Sequence, residues 1–121
     1  MKTLRVGIAS YKEMKARTIS IAKGKYKTTK DEPKIWFTSA ESFAKILSDK
    51  NRVLLSIIAQ SAPESITELA LKTGRKKSNL SRTLKKMEHY GLVILKKAKN
   101  GCIAPKVLYK NISLVMPIGH A

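Results

Sequence analysis

Ser78, Asn79 and Arg82 lie within the stretch KKSNLSRTLKK, which also carries Lys77, Ser81, Lys85 and Lys86. None of these types in this pattern makes a nucleophile with its base or a metal-ligand set; the pattern suits recognition of a polyanion. A small hydroxyl or carboxamide can approach a base edge, a guanidinium can donate two parallel bonds to guanine, and lysines meet phosphate oxygens. Bases would therefore fall to Ser78, Asn79 and Arg82, and phosphates to Lys77, Ser81, Lys85 and Lys86.

Such a set is useful only if one rigid element presents it. Leu80, Leu84 and Met87 recur at spacings of four and three, which gives a helix with a core-facing stripe. With about 100° per residue, Ser78, Arg82, Lys85 and His89 fall opposite that stripe, and Asn79, Ser81 and Lys86 flank them. Upstream, Ser65 and Glu68 of SITE have capping-box spacing and open a short helix through Leu69 and Ala70. Gly74 then fits a tight turn that needs a positive φ, so the pair of helices reads as a helix-turn-helix, with Ala70 where the two approach closely. Arg75 and Lys76 of the turn join the expected DNA-binding set. A solvated cationic face on an ordinary core helix is the competing reading. Against it, Glu88 is the sole acid between Lys72 and Lys99, small polar residues open the helix, and a basic hairpin follows.

That hairpin is expected from a strand at Leu92–Leu95, a tight turn at Asn100-Gly101 and a return strand at Val107–Tyr109. It reads as the wing of a winged helix. Lys96, Lys97, Lys99 and Asn100 at its tip complete the predicted DNA-binding residues, and Pro105 fits an edge strand. Cys102 is expected as a small apolar filler of the wing.

The rest of the chain supplies the support. LRVGIA (Leu4–Ala9) alternates like a strand, and Ser10 with Glu13 would cap a helix. That helix carries an apolar stripe of Tyr11, Met14, Thr18, Ile21 and Ala22 and stops near Gly24. KYKTTKDEP reads as a linker before IWF, which reads as core. Thr38 and Glu41 repeat the capping-box spacing, before a helix with Phe43, Ile46 and Leu47 on its apolar side. Ser48 or Asp49 caps the next helix, which carries Val53, Leu54, Ile57 and Ile58 and ends near Pro63; ISLVM (Ile112–Met116) predicts a final strand. The expected organisation is an N-terminal strand-helix extension with linker at 1–37, a dimerisation or partner element, and a winged helix-turn-helix DNA-binding domain at 38–121.

Composition bounds the function. In 121 residues, 25 Lys and Arg against eight Asp and Glu give a formal charge of +17, which calls for a polyanionic partner. Hydrophobic residues make up 43% of the chain, which argues for a folded domain. No apolar run approaches the roughly 18 residues of a spanning helix, and the N-terminus lacks a signal-type core, so a soluble, cytoplasmic protein without a membrane partner is expected. The single Cys102, with His89 and His120, makes neither a disulfide nor a four-ligand zinc site, and no metal or cofactor is expected. Asp31 and Glu32 are adjacent in a loop, not paired on one face, and there is no Gly-rich phosphate loop. An enzyme is not expected. RNA binding would want exposed aromatics, for which Tyr26, Trp36 and Phe37 are the candidates.

ITELALKTGRKKSNLSRTLKKMEHYGLV resembles the helix-turn-helix of MarR-type winged-helix regulators, with its E-L-A, Gly, S-x-x-S-R and G-L-V. Over its whole length the chain resembles a group of small prokaryotic winged-helix DNA-binding proteins, through LRVGIASYKEMKARTI, EPKIWFTSAESFAKILSDKNR and the helix-turn-helix. Some members of that group are TumA-like antitoxins encoded beside a TumE-type toxin. The resemblance implies a cognate toxin as partner and repression of the operon encoding both. The chain departs from MarR regulators in its tip, KKAKNGC, in strand-like termini where they have long dimerising helices, and in having Lys76 or Lys77 where they place a serine cap. The fold expected is α+β, mainly α: a winged helix-turn-helix with an N-terminal strand-helix extension and a C-terminal strand. The function expected is sequence-specific double-stranded DNA binding by a homodimeric repressor; non-specific or architectural binding of DNA or RNA is the alternative.

Overall fold

The computed structural model describes residues 2–25, 32–98, 100–116 and 118. Its element order is β1 (Lys2–Ile8), α1 (Tyr11–Ala22), β2 (Ile35–Phe37), α2 (Ala40–Ile46), α3 (Asp49–Ser61), α4 (Ile66–Thr73), α5 (Lys77–His89), β3 (Ile94–Lys97), β4 (Ile103–Lys106) and β5 (Tyr109–Val115). The fold is thus α+β. No helix among the described residues is long and apolar enough to cross a membrane. The chain forms two compact units, one of Ile46–Lys110 together with Lys2 and the other of Thr3–Lys45 with the segment from Asn111 onward. The boundary expected after Phe37 falls inside the second of these, which also takes up Asn111–Val115 of the last strand.

In the unit that begins at Thr3, β1 lies between β2 and β5 in a three-stranded sheet. β1 and β2 are parallel with Gly7 opposite Trp36, and α1 supplies the crossover that a parallel pair needs. Leu4 and Val6 are buried, as the alternation predicts. Gly7 is buried for a different reason. The Trp36 ring covers it, so a Cβ on Gly7 would lie 2.6–2.7 Å from two ring carbons and 3.0 Å from Pro33. The Arg17 guanidinium lies over that ring, 5.2 Å from its centroid, and also pairs with Glu32. Gly7→Ala should therefore destabilise this unit by about 1–3 kcal/mol by displacing the indole. Denaturant unfolding followed by Trp36 fluorescence reads it, and an unchanged midpoint would mean that the ring moves aside freely.

Ser10 caps α1 through both bonds of a capping box, to and from Glu13. Its expected apolar stripe is not buried: α1 has no buried residue, and Tyr11 is 84% exposed. Periodicity identifies an apolar side without guaranteeing something to cover it. The cap expected from Thr38 and Glu41 is shifted by one residue. α2 begins at Ala40, and the Ser39 hydroxyl accepts from Ser42 N–H at 3.1 Å. IWF is core in its last residue: Phe37 is fully buried and meets Phe43 edge-on at 5.3 Å, while Ile35 and Trp36 are half-buried.

In the unit from Ile46 to Lys110, each of the first two helix starts has its hydroxyl. Ser48 caps α3 by accepting from Asn51 N–H at 3.3 Å, which decides between Ser48 and Asp49. Ser65 caps α4 by accepting from Glu68 N–H at 3.0 Å, while the Glu68 carboxylate accepts from Glu64 N–H at 2.9 Å, one residue further out than a regular box. α4 ends at Gly74, whose φ of 72° is the left-handed conformation expected there. Leu54 and Ile58 from α3, Leu69 from α4, and Leu80, Leu84 and Met87 from α5 form the buried interior. Leu92 and Val93 are buried with them, so the first hairpin strand starts at Ile94, later than the expected Leu92.

The hairpin register follows from that burial. β3 pairs antiparallel with β4, Leu95 opposite Pro105, so the return strand is Ile103–Lys106 and not Val107–Tyr109. Ala98 N–H donates to Cys102 C=O at 2.7 Å and Gly101 N–H to Ala98 C=O at 2.9 Å, with Gly101 at φ 84°. The connection is thus one residue longer than an Asn-Gly pair and takes the form with a left-handed glycine at its end. Alternating from the Ala98–Cys102 bond, Leu95–Pro105 is a non-hydrogen-bonded pair, so the ladder loses nothing at the proline. Pro105 is buried, and Cys102, expected as packing, is exposed.

Candidate nucleic-acid interface

α5 separates its two sides sharply. Leu80, Leu84 and Met87 are fully buried, whereas Lys77, Ser78, Asn79, Arg82, Lys85, Lys86 and His89 are exposed and Ser81 is half-buried. Its N-cap is Lys76, which makes no side-chain cap bond, and its first turn carries no acid. The leading N–H groups are consequently left to outside acceptors, and the positive end of the helix is unopposed.

An open hollow of about 520 Å³ joins this helix to its neighbours. α5 contributes Asn79, Arg82, Thr83 and Lys86, and the turn contributes Gly74, Arg75 and Lys76. Lys50, in the first turn of α3, completes the wall. Five cationic side chains line the hollow and no acidic one does, an arrangement that attracts and holds anions. Lys50 was not among the residues expected from the sequence. Its one sequence signal is a lysine in the first turn of a helix, where the dipole favours acids.

Arg75 differs from the other expected contacts. It is half-buried, and its guanidinium donates to Asn51 Oδ1 at 3.2 Å and Thr83 Oγ1 at 3.5 Å. Lys85 lies outside the cationic hollow and instead lines a second one with Glu88, His89, Leu95 and Ile103, on the hairpin side of α5. In the hairpin, Lys96, Lys97 and Asn100 are exposed, but the Asn100 side-chain oxygen accepts from Cys102 N–H at 3.0 Å and serves the turn. Lys99 is outside the described residues, as are Tyr26, Asp31 and His120. Among the described residues there is no group of three or more His, Cys, Asp or Glu placed to hold a metal.

None of the curated proteins matches the chain. One solved structure similar to it is the crystal structure titled as that of the "predicted DNA-binding transcriptional regulator from E. coli". The two share 21% identity with a TM-score of 0.49, over 78% of this chain and 84% of that one. The model of the HVO_A0114 family matches residues 46–114, more than half of the chain and nearly all of the unit that bears the cationic hollow. The chain belongs to the HVO_A0114 family.

Proposed function

We propose that this chain is a winged helix-turn-helix protein that binds double-stranded DNA in a sequence-specific manner and acts without catalysis. The observation that carries the reading is the cationic, acid-free hollow on α5, a helix whose opposite side is locked into the core. α5 acts as the recognition helix, entering the major groove by its uncapped N-terminal end. Ser78 and Asn79 approach base edges, and Arg82 reaches guanine. Lys77, Ser81, Lys85 and Lys86 meet phosphates, together with Lys50 from α3 and with Lys96 and Lys97 from β3, the first strand of the wing.

In this reading the protein is a cytoplasmic homodimeric repressor of its own operon, and a TumA-like antitoxin whose partner is the toxin encoded beside it. The exposed Tyr11 and Ile19 on α1, and Leu114 and Val115 on β5, are the apolar side chains that favour a protein partner for the unit that begins at Thr3.

A gel-shift titration tests it, using the DNA upstream of the chain's own gene beside scrambled DNA of equal length. Arg82→Ala should weaken binding to the preferred sequence by about tenfold to a hundredfold and relax the preference at one base pair. Lys86→Ala should weaken all sequences alike. Sedimentation of the complex should show two chains per site. Identical effects of the two substitutions would refute the assignment of bases and phosphates. Equal binding to both DNAs would favour the non-specific or architectural alternative.

A further inference from the structure

The residues expected to meet bases stand where packing holds them least. Ser78 and Asn79 precede Leu80, the first buried residue of α5, and Lys76 gives the helix no side-chain cap. The chain arrives there directly from Gly74, whose left-handed conformation ends α4. Reading a base edge nevertheless needs the supporting element to be held within about half an ångström. Something other than the core or a cap must fix the entrance of α5.

Arg75 meets that requirement. Its guanidinium spans from Asn51 in the first turn of α3 to Thr83 in the second turn of α5, and its backbone N–H donates to Thr73 Oγ1 at 3.3 Å. Two of those partners, Asn51 and Thr73, are themselves anchored. Asn51 donates through Nδ2 to Ile46 C=O at 3.0 Å and through its backbone N–H to Ser48, and Thr73 Oγ1 donates to Leu69 C=O at 2.9 Å. The planar guanidinium thus ties the start of α3 to the body of α5, while the backbone of the same residue is bonded to the end of α4. Both acceptors of the guanidinium are neutral oxygens, so its charge stays uncompensated and adds to the field of the hollow without leaving its bonds.

We propose that Arg75 is a positioning residue of the DNA-reading surface and not one of its contacts: through Asn51 and Thr83 it sets how α5 presents Ser78, Asn79 and Arg82. The proposal rests on the DNA-binding reading of α5. A lysine at this position would keep the charge but could not bridge two acceptors from a fork, so charge and geometry are separable.

The test uses a duplex selected from a random pool by the wild-type protein and a scrambled duplex of the same length. Both are titrated over a range of salt with the wild type, Arg75→Lys, Asn51→Ala and the double variant. Arg75→Lys should weaken the selected duplex by about tenfold while leaving the scrambled duplex and the salt slope near wild type, since no charge is lost. Asn51→Ala, which removes no charge, should do the same, and the double variant should be no worse than the weaker single one. Retention of full selectivity by Arg75→Lys would overturn the proposal, as would equal weakening of both duplexes or additive losses. If the wild type selects no sequence, the DNA-binding reading itself fails, and amide exchange in the free protein decides the positioning role. Exchange at Leu80 and Ser81 should quicken in both single variants, and unchanged exchange would overturn it.

Discussion

Raising monovalent salt from about 50 to about 200 mM should weaken duplex binding by about a thousandfold per protomer. The expectation follows from the cations that α5 and its neighbours leave in solvent. Lys50, Lys77, Lys85, Lys86, Lys96 and Lys97 are all exposed, and none belongs to an ion pair among the described residues, where the carboxylates of Glu32, Asp49 and Glu68 are taken by Arg17, Arg52 and Lys72. About six neutralised phosphates give a slope of log affinity on log salt near −5, and a fourfold rise in salt then costs about three decades. Anisotropy titrations of a labelled duplex at four or five salt concentrations measure the slope directly. Replacing Lys50 by alanine should reduce its magnitude by about one, the contribution of a single phosphate contact. A wild-type slope near −1 would mean that the cationic face does not lie along a phosphate backbone, and the reading of α5 as a recognition helix would fall with it.

The residues of that face were legible in the sequence because the rules that place them act within one segment. Ser65, Gly74 and the Leu80–Leu84–Met87 stripe fix the two ends of α4 and the orientation of α5 through capping, a left-handed glycine and a period of 3.6, all local. Lys50 was not legible, because only the packing of α3 brings it to the hollow. Nor was the inward turn of Arg75, since an arginine in a basic run looks like its neighbours until Asn51, far away in sequence, comes within 3.2 Å of it. The hairpin shows the same limit. Leu92 and Val93 look like strand residues, yet they go to the interior, and the pairing starts at Ile94 with a different return strand. At Thr38–Glu41 the capping-box spacing points to a cap one residue too early, and only the observed start of α2 at Ala40 selects Ser39. The apolar side of α1 is a further case, where the pattern is present and the burial is not.

Leu84→Ala should lower stability by about 3 kcal/mol, within a range of about 2–5 for truncating a fully enclosed leucine. Leu84 has no exposed surface and lies between Leu80 and Met87, which are equally enclosed, so the lost methyls leave a cavity in the middle of the stripe that seats α5. For a domain with typical stability of about 5–15 kcal/mol, that is a large fraction of the total. The neighbouring Lys85→Ala should behave in the opposite way. Its side chain is exposed, so stability should stay within about 0.5 kcal/mol of wild type, while duplex affinity falls with the loss of one phosphate contact. Denaturant unfolding and anisotropy titration on the same two variants separate the effects. Leu84→Met, which conserves volume, should cost less than about 1.5 kcal/mol and retain binding. If Leu84→Ala cost under about 1 kcal/mol, the stripe would not be the seat of the helix, because a cavity there could not close without moving α5. If it cost the expected amount while leaving affinity unchanged well below the melting point, α5 would tolerate repacking without changing how it presents Arg82. Adjacent positions with opposite outcomes, one in stability and one in binding, are what an amphipathic recognition helix requires: the buried side of Leu80, Leu84 and Met87 is what makes the other side rigid enough to read.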